Sequence, residues 1–172
     1  RLLRKNLLEI NGLSLVELTG LKALETAIFT KVVINSESPE ILDLIDNNNI
    51  HKYKRSSELA NNDSTSEDFI YDYFINSDAD VIFQLHSIAP LLKIETIIAF
   101  VNHFKKNDLD TCLSIDSQWL EFLYHDKPLN FSYSKKENSQ DLQKLQRINW
   151  AISGWRKNTF IKSYKSTKEC GT

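Results

Sequence analysis

Three cations, Arg1, Arg4 and Lys5, stand within five residues just before Asn6. Such a group is either a solvated basic end or, at the loop edge of an α/β sheet, a place where triphosphate charge is neutralised. His86 directly follows the apolar run Val81 to Leu85. At the carboxyl end of a strand in such a sheet its imidazole would face a ligand; elsewhere it would only cap the next turn. A neutral imidazole both accepts and donates a hydrogen bond, and a protonated one adds a cation for an acid. Asp78-Ala79-Asp80 has the residue types of a metal-binding pair, but it precedes its strand instead of ending it. Cys112 and Cys170 are too few for a metal quartet or a disulfide framework, and Cys112, within a strand-like run, reads as a buried thiol.

The elements that must position these residues alternate in period. Ser14-Leu15-Val16-Glu17 reads as a capping box opening a helix of about four turns through Leu18, Leu21, Leu24 and Ile28. Lys31 to Ile34 is a short β-branched run, as in a strand covered on both faces. Ser38 and Pro39 then open a second helix carrying Ile41, Leu44 and Ile45 up to the Asn47-Asn48-Asn49 stop. A polar stretch from Lys52 to Asp63 leads to Ser64-Thr65-Ser66-Glu67, another capping box, and a helix through Phe69, Tyr73 and Phe74. The strand Asp80 to Leu85, a helix from Ile94 to Lys105 and the strand Thr111 to Ile115 follow. This alternation predicts an α/β domain with a mostly parallel sheet and helices on both faces. Trp119 to Tyr133 then reads as a hairpin turning at His125 to Pro128, with a polar stretch to Lys144, a strand from Gln146 to Trp155 and a helix from Thr159 to Tyr164.

With 172 residues, 41% hydrophobic and 26% charged, the chain is one ordinary globular domain and neither disordered nor a coiled coil. A net charge of −2 provides no overall field for nucleic acid or an anionic membrane. No apolar run approaches the roughly 20 residues that span a bilayer, and no signal segment opens the chain, so a cytoplasmic setting is expected. Residue 1 is Arg and there is no methionine, so the chain is expected to lack its own start.

The block Arg1-Leu2-Leu3-Arg4-Lys5-Asn6-Leu7-Leu8-Glu9-Ile10-Asn11-Gly12 resembles the sugar-acid cytidylyltransferases, above all the acylneuraminate cytidylyltransferases, or CMP-sialic acid synthetases. The resemblance continues in order through Arg55 to Ala60 with Asp63 to Ser66, His86-Ser87-Ile88-Ala89-Pro90-Leu91, and Gln140-Asp141-Leu142 with Arg147-Ile148-Asn149. It implies a nucleotide-diphospho-sugar transferase-like, Rossmann-like fold over residues 1–172 and a transfer reaction. The anomeric hydroxyl of a nonulosonic, sialic-type acid attacks the α-phosphate of CTP, and pyrophosphate leaves.

By the same resemblance Lys5 contacts the triphosphate as the catalytic cation, and Asn6, Arg55, Thr65 and Ser66 complete the nucleotide side. His86, Gln140 and Asn149 fall on the sugar side. Residues 117–148 would form a dimerisation arm, giving a homodimer. Mg²⁺ is implied, with ligands expected beyond Thr172, and a phosphate loop is expected before Arg1; no metal ligand is assigned within the chain. Leu3, Leu92, Trp150 and Ser153 depart from the family pattern, which leaves the acceptor open among nonulosonic acids of sialic, pseudaminic or legionaminic type and the shorter octulosonate. A GT-A-like glycosyltransferase, which would want Asp-x-Asp at a strand end, and a non-catalytic relic are the alternatives from other classes.

Overall fold

A computed structural model describes residues 4–135 and 138–170, so Arg1 to Leu3 lie outside the described residues. The chain divides into two compact units: residues up to 112 together with those from 151 on, and residues Leu113–Trp150.

The first unit opens with a 3-10 turn, Lys5–Leu7, and a minimal hairpin of β1 (Glu9–Ile10) and β2 (Leu13–Ser14). Asn11 and Gly12 both take positive φ, 52° and 79°, as a two-residue mirror-image hairpin turn requires. Ser14 closes the expected capping box with Glu17 at the start of α1 (Leu15–Glu25). That helix is shorter than its apolar period suggests. Thr26 Oγ1 donates to the Ala23 carbonyl at 2.6 Å and Ala27 is left-handed at φ 54°, so the chain has turned away before Ile28.

Next come β3 (Val32–Ser36), α2 (Pro39–Leu44) and β4 (Ile50–Lys54). β3 and β4 pair in parallel, from Val32 opposite Ile50 to Ser36 opposite Lys54. β4 replaces part of the polar stretch expected from Lys52. Its only buried residue is Ile50, so its sequence carries no apolar alternation. Ser38 stands at the N-cap of α2 without a side-chain capping bond; its amide instead donates to Ser36 Oγ at 3.1 Å. The box of α3 (Ser66–Ile75) is made by Thr65 with Asp68, one residue later than the sequence suggests for Ser64.

β5 (Val81–Leu85), α4 (Ile94–Lys106) and β6 (Thr111–Gln118) follow, then the short strands β7 (Leu123–Tyr124) and β8 (Lys127–Pro128), and finally β9 (Leu145–Arg156) and α5 (Lys157–Thr167). β9 lies between β5 and β6 and runs antiparallel to β5, with Leu85 opposite Ile152. The fold is therefore mixed α/β, with parallel and antiparallel pairings.

An aliphatic cluster and two aromatic groups hold the first unit. Ala23, Val32, Ile34, Leu42, Ile45 and Ile50 join α1, α2 and the parallel pair. Phe83 packs with Phe29, Phe100 and Phe104, and Trp155 and Phe74 each pack against Phe160. Gly154 permits the first of these aromatic groups: a Cβ there would come 2.8 Å from the Phe83 ring, closer than any side chain tolerates.

In the second unit β7 and β8 are joined by His125 and Asp126, both left-handed. This is a tighter hairpin than the expected Trp119 to Tyr133. Buried Asn130 organises the surrounding loop. Its amide accepts from the Phe122 amide at 2.9 Å and donates to the Leu120 and Gln143 carbonyls at 2.8 and 3.0 Å. Trp119, Leu120, Leu123, Tyr124, Leu129 and Tyr133 are exposed. Residues 117–148, expected as an arm, fall inside this unit.

Candidate functional site

The basic turn and the loop after β5 meet. Ser87 Oγ donates to Asn6 Oδ1 at 2.9 Å, across 81 residues of sequence. His86, at the end of β5, is anchored by its amide, which donates to the Ala151 carbonyl at 3.1 Å. Burial, and after it the positive charge of Lys5, hold the imidazole below its ordinary pKa, so His86 is neutral at pH 7. Lys5 itself is exposed, and among the described residues no carboxylate pairs with it. Arg4 pairs instead with Glu40 in the first turn of α2, just beyond β3. The short turn thus lies against the chain that leaves the carboxyl ends of two strands. Together these groups present an open cation, a hydrogen-bonded amide and a neutral imidazole.

Arg55 follows β4 and is held on three sides. Its guanidinium donates to the Asn35 carbonyl at 2.7 Å and to Asn35 Oδ1 at 3.1 Å, pairs with Glu37, and lies 4.9 Å above the Phe69 ring of α3. Its Nε is buried without a partner among the described residues. Phe69 is one turn from Ser66, so the start of α3 sits beside this arginine. Thr65 is exposed and its hydroxyl is engaged in capping: it accepts from the Asp68 amide at 3.3 Å and donates to Asp68 Oδ2 at 3.2 Å. Bonds from the Thr65 amide and the Tyr164 hydroxyl keep Asp68 below the usual carboxylate range.

In the second unit, Asn149 is tied across β6 and β9. Ser114 Oγ donates to its Oδ1 at 2.6 Å, and its Nδ2 donates to Asp116 Oδ1 at 2.7 Å. Asp116 also pairs with Arg147, which with Asn149 holds its carboxyl below the ordinary range. Gln140 is exposed in the 3-10 turn Ser139–Asp141.

Neither cysteine is arranged for nucleophilic work. Cys112 is half-buried, not buried as expected, and Cys170 is the buried one; burial raises both thiols. Asp78-Ala79-Asp80 precedes β5, at the opposite end of that strand from His86. The Mg²⁺ implied by the resemblance finds no three-ligand set among the described residues, where no group of three or more His, Cys, Asp or Glu could hold a metal ion.

Asn35, Glu37, Glu40, Ser87 and Asp116 carry no role from sequence. Asn35, Glu37 and Ser87 stand at or just past the end of a strand, a position that marks them without assigning a role, and Glu40 and Asp116 lack even that.

Comparisons with known proteins bear on this geometry. The cytidylyltransferase family model matches residues 1–127, so Lys5, Asn6, Arg55, Thr65, Ser66 and His86 lie inside the match and Gln140 and Asn149 beyond it. Among solved structures, the chain is similar to CMP:2-keto-3-deoxy-manno-octonic acid synthetase complexed with CTP, with a TM-score of 0.71 at 14% identity, over 96% of this chain and 72% of that one. It is similar to 4-diphosphocytidyl-2C-methyl-D-erythritol synthase from Anaerococcus prevotii, with a TM-score of 0.64 at 14% identity, over 91% of this chain and 66% of that one. A third likeness is to 2-C-methyl-D-erythritol 4-phosphate cytidylyltransferase from Thermus thermophilus, with a TM-score of 0.57 at 8% identity, over 95% and 71%. No curated protein matches the chain. At these identities the structures show the shared fold, and the family model, which covers well over half of the chain, places it: the chain belongs to the cytidylyltransferase family.

Proposed function

We propose that this protein transfers the cytidylyl group of CTP to the anomeric hydroxyl of a 3-deoxy-2-ulosonic acid, giving a CMP-sugar and pyrophosphate. The observation that carries the reading is the meeting of the basic turn with the loop after β5, through Asn6–Ser87 and Lys5 beside a neutral His86. The hydroxyl oxygen bonds to the α-phosphorus, the bond from that phosphorus to the bridging oxygen breaks, and the hydroxyl proton passes to water or a neighbouring base. Lys5 offsets the charge that builds on the leaving pyrophosphate, while Asn6 fixes the loop. Arg55, Thr65 and Ser66 serve the nucleoside side. His86 donates to or accepts from the acid sugar, and Gln140 and Asn149 belong to the same acceptor role.

The order of the sequence blocks favours a sialic-type nonulosonic acid. The likeness to the octonic acid synthetase favours the shorter eight-carbon acid as the second reading. The exposed aromatic and aliphatic surface of the second unit supports a homodimer, in a cytoplasmic setting where CTP is available. Pyrophosphate release should be followed with CTP, UTP or ATP against sialic-type acids, the octulosonate and methylerythritol phosphate. Release with CTP and one of the acids alone supports the reading. Turnover of methylerythritol phosphate with none of the acids overturns it.

A further inference from the structure

The loop His86 to Lys93 carries the site's imidazole, yet two of its apolar side chains do not anchor it: Ile88 is 52% exposed and Leu91 89%. Polar bonds hold it instead. At its start the His86 amide donates to the Ala151 carbonyl and Ser87 Oγ donates to Asn6. At its far end Lys22, from the middle of α1, reaches it. The Lys22 ammonium donates to the Pro90 carbonyl and, at 3.0 Å, to the Leu92 carbonyl, 68 and 70 residues away. Between those anchors the loop is laced by its own backbone, with the Ala89 amide donating to the His86 carbonyl and the Leu92 amide to the Ala89 carbonyl, each at 3.0 Å.

A lysine is an unusual choice for a half-buried position on the packed face of a helix, because an ammonium must find acceptors there. Here it finds two carbonyls, and charge-assisted bonds are the strong kind. Among the described residues, Lys22 bonds to these two carbonyls and to none of Lys5, Asn6, Arg55 or His86. Its charge and length serve the loop.

We propose that Lys22 is a positioning residue: by clamping Pro90 and Leu92 it fixes the loop that presents His86 to the acceptor. This rests on the reading above for the identity of the acceptor, but the clamp is a property of the chain itself. Lys22→Met keeps the length and removes the donors, and Lys22→Arg keeps donors. Two measurements separate the claims: amide hydrogen exchange of residues 86–93, and KM for the acid sugar against KM for CTP.

In Lys22→Met, exchange of the Ala89 and Leu92 amides should rise about tenfold while the amides of β5 are unchanged. KM for the acid should rise about fivefold with KM for CTP unmoved, and Lys22→Arg should recover most of both effects. Unchanged exchange overturns the clamp. Faster exchange with an unchanged acid KM, or equal rises for both substrates, overturns the positioning role. If the wild-type protein turns over no acid sugar, it is the proposed function that fails, and the exchange data alone judge the clamp.

Discussion

Two cation-bearing regions of the first unit, the Arg55 corner and the basic turn, are built on opposite plans. At the Arg55 corner the charge is answered before any ligand arrives, by Glu37 and Asn35, and the guanidinium is laid on Phe69. At the basic turn the neighbouring Arg4 is paired with Glu40, but Lys5 is left exposed and open, close enough to His86 to help depress its pKa. A neutralised, fixed arginine suits the recognition of a planar or ribose group whose position must not vary. An open lysine suits a charge that appears only during reaction, because a compact, mobile ammonium can follow it. Substitutions at the two places should therefore fail in different ways.

The largest effect is expected at Lys5. Lys5→Ala should lower the rate of pyrophosphate release about 100-fold, the scale of losing one group that stabilises transition-state charge, with little change in melting temperature. Since Lys5 makes no ion pair among the described residues, there is little folded structure for it to support. A loss of thermal stability that matched the loss of rate would show that the two regions are not as different as their contacts suggest.

Arg55→Ala should produce the mixed outcome. CTP affinity is expected to fall about tenfold, as for one lost charged hydrogen-bonding group, and the melting temperature to drop by several degrees as Glu37 and the half-buried Asn35 lose their partner. Arg55→Lys should recover part of the stability and little of the affinity, because an ammonium cannot reproduce the forked geometry. Calorimetric titration of CTP paired with thermal melts reads both. Unchanged affinity with lowered stability would make Arg55 scaffold only.

The coupling of Lys5 to His86 gives a smaller and more specific effect. Unfolded, the ring takes a proton near its ordinary pKa of about 6.5. Folded, it does so only at lower pH. Between those values the unfolded chain binds the extra proton, so stability is full above the unfolded pKa and is lost as pH falls through the folded one. Removing the charge with Lys5→Met should move the His86 titration, followed by NMR, up toward its ordinary value without reaching it, since burial is the larger cause. A titration curve that does not move would mean that the turn and the loop do not face each other.

How much of this was legible depends on how far apart the partners stand in sequence. Local devices are legible: the Ser14–Glu17 box and the apolar run of β5 each announce themselves within a few residues. Where two local devices compete, the reading slips by one, as at Ser64 and Thr65. There Asp68 instead of Glu67 closes the box because it stands three residues after Thr65, the residue that caps the helix, and its carboxylate accepts from the Thr65 amide at 2.7 Å. β4 was missed because a strand with one buried residue in five has no period to detect. The partners that hold the site's residues are illegible for a different reason. Glu37 for Arg55, Ser87 for Asn6, Lys22 for the loop and Asn130 for its three backbone partners are ordinary polar residues. Their meaning comes only from groups that the fold brings to them.

The smallest expected effect concerns Trp150, the residue after Asn149 and the last of the second unit. It lies inside β9 yet takes φ 58°, in the left-handed region, with its indole 40% exposed. For a residue with a Cβ that conformation costs roughly 1–2 kcal/mol, whereas a glycine avoids the strain and loses only about 0.5–1 kcal/mol of backbone entropy. At an ordinary strand position alanine is more stable than glycine; here the order should invert. Trp150→Gly is expected within about 1 kcal/mol of wild type, a few degrees in melting temperature at most, with Trp150→Ala below it. Ile148, two residues earlier in the same strand and similarly exposed at 45%, is the internal control, where the alanine variant should be the more stable. Thermal melts of the four variants decide the matter. If glycine is worse than alanine at both positions, the left-handed turn at Trp150 is not strained, and the hold of Ser114 and Asp116 on the neighbouring Asn149 needs no such bend.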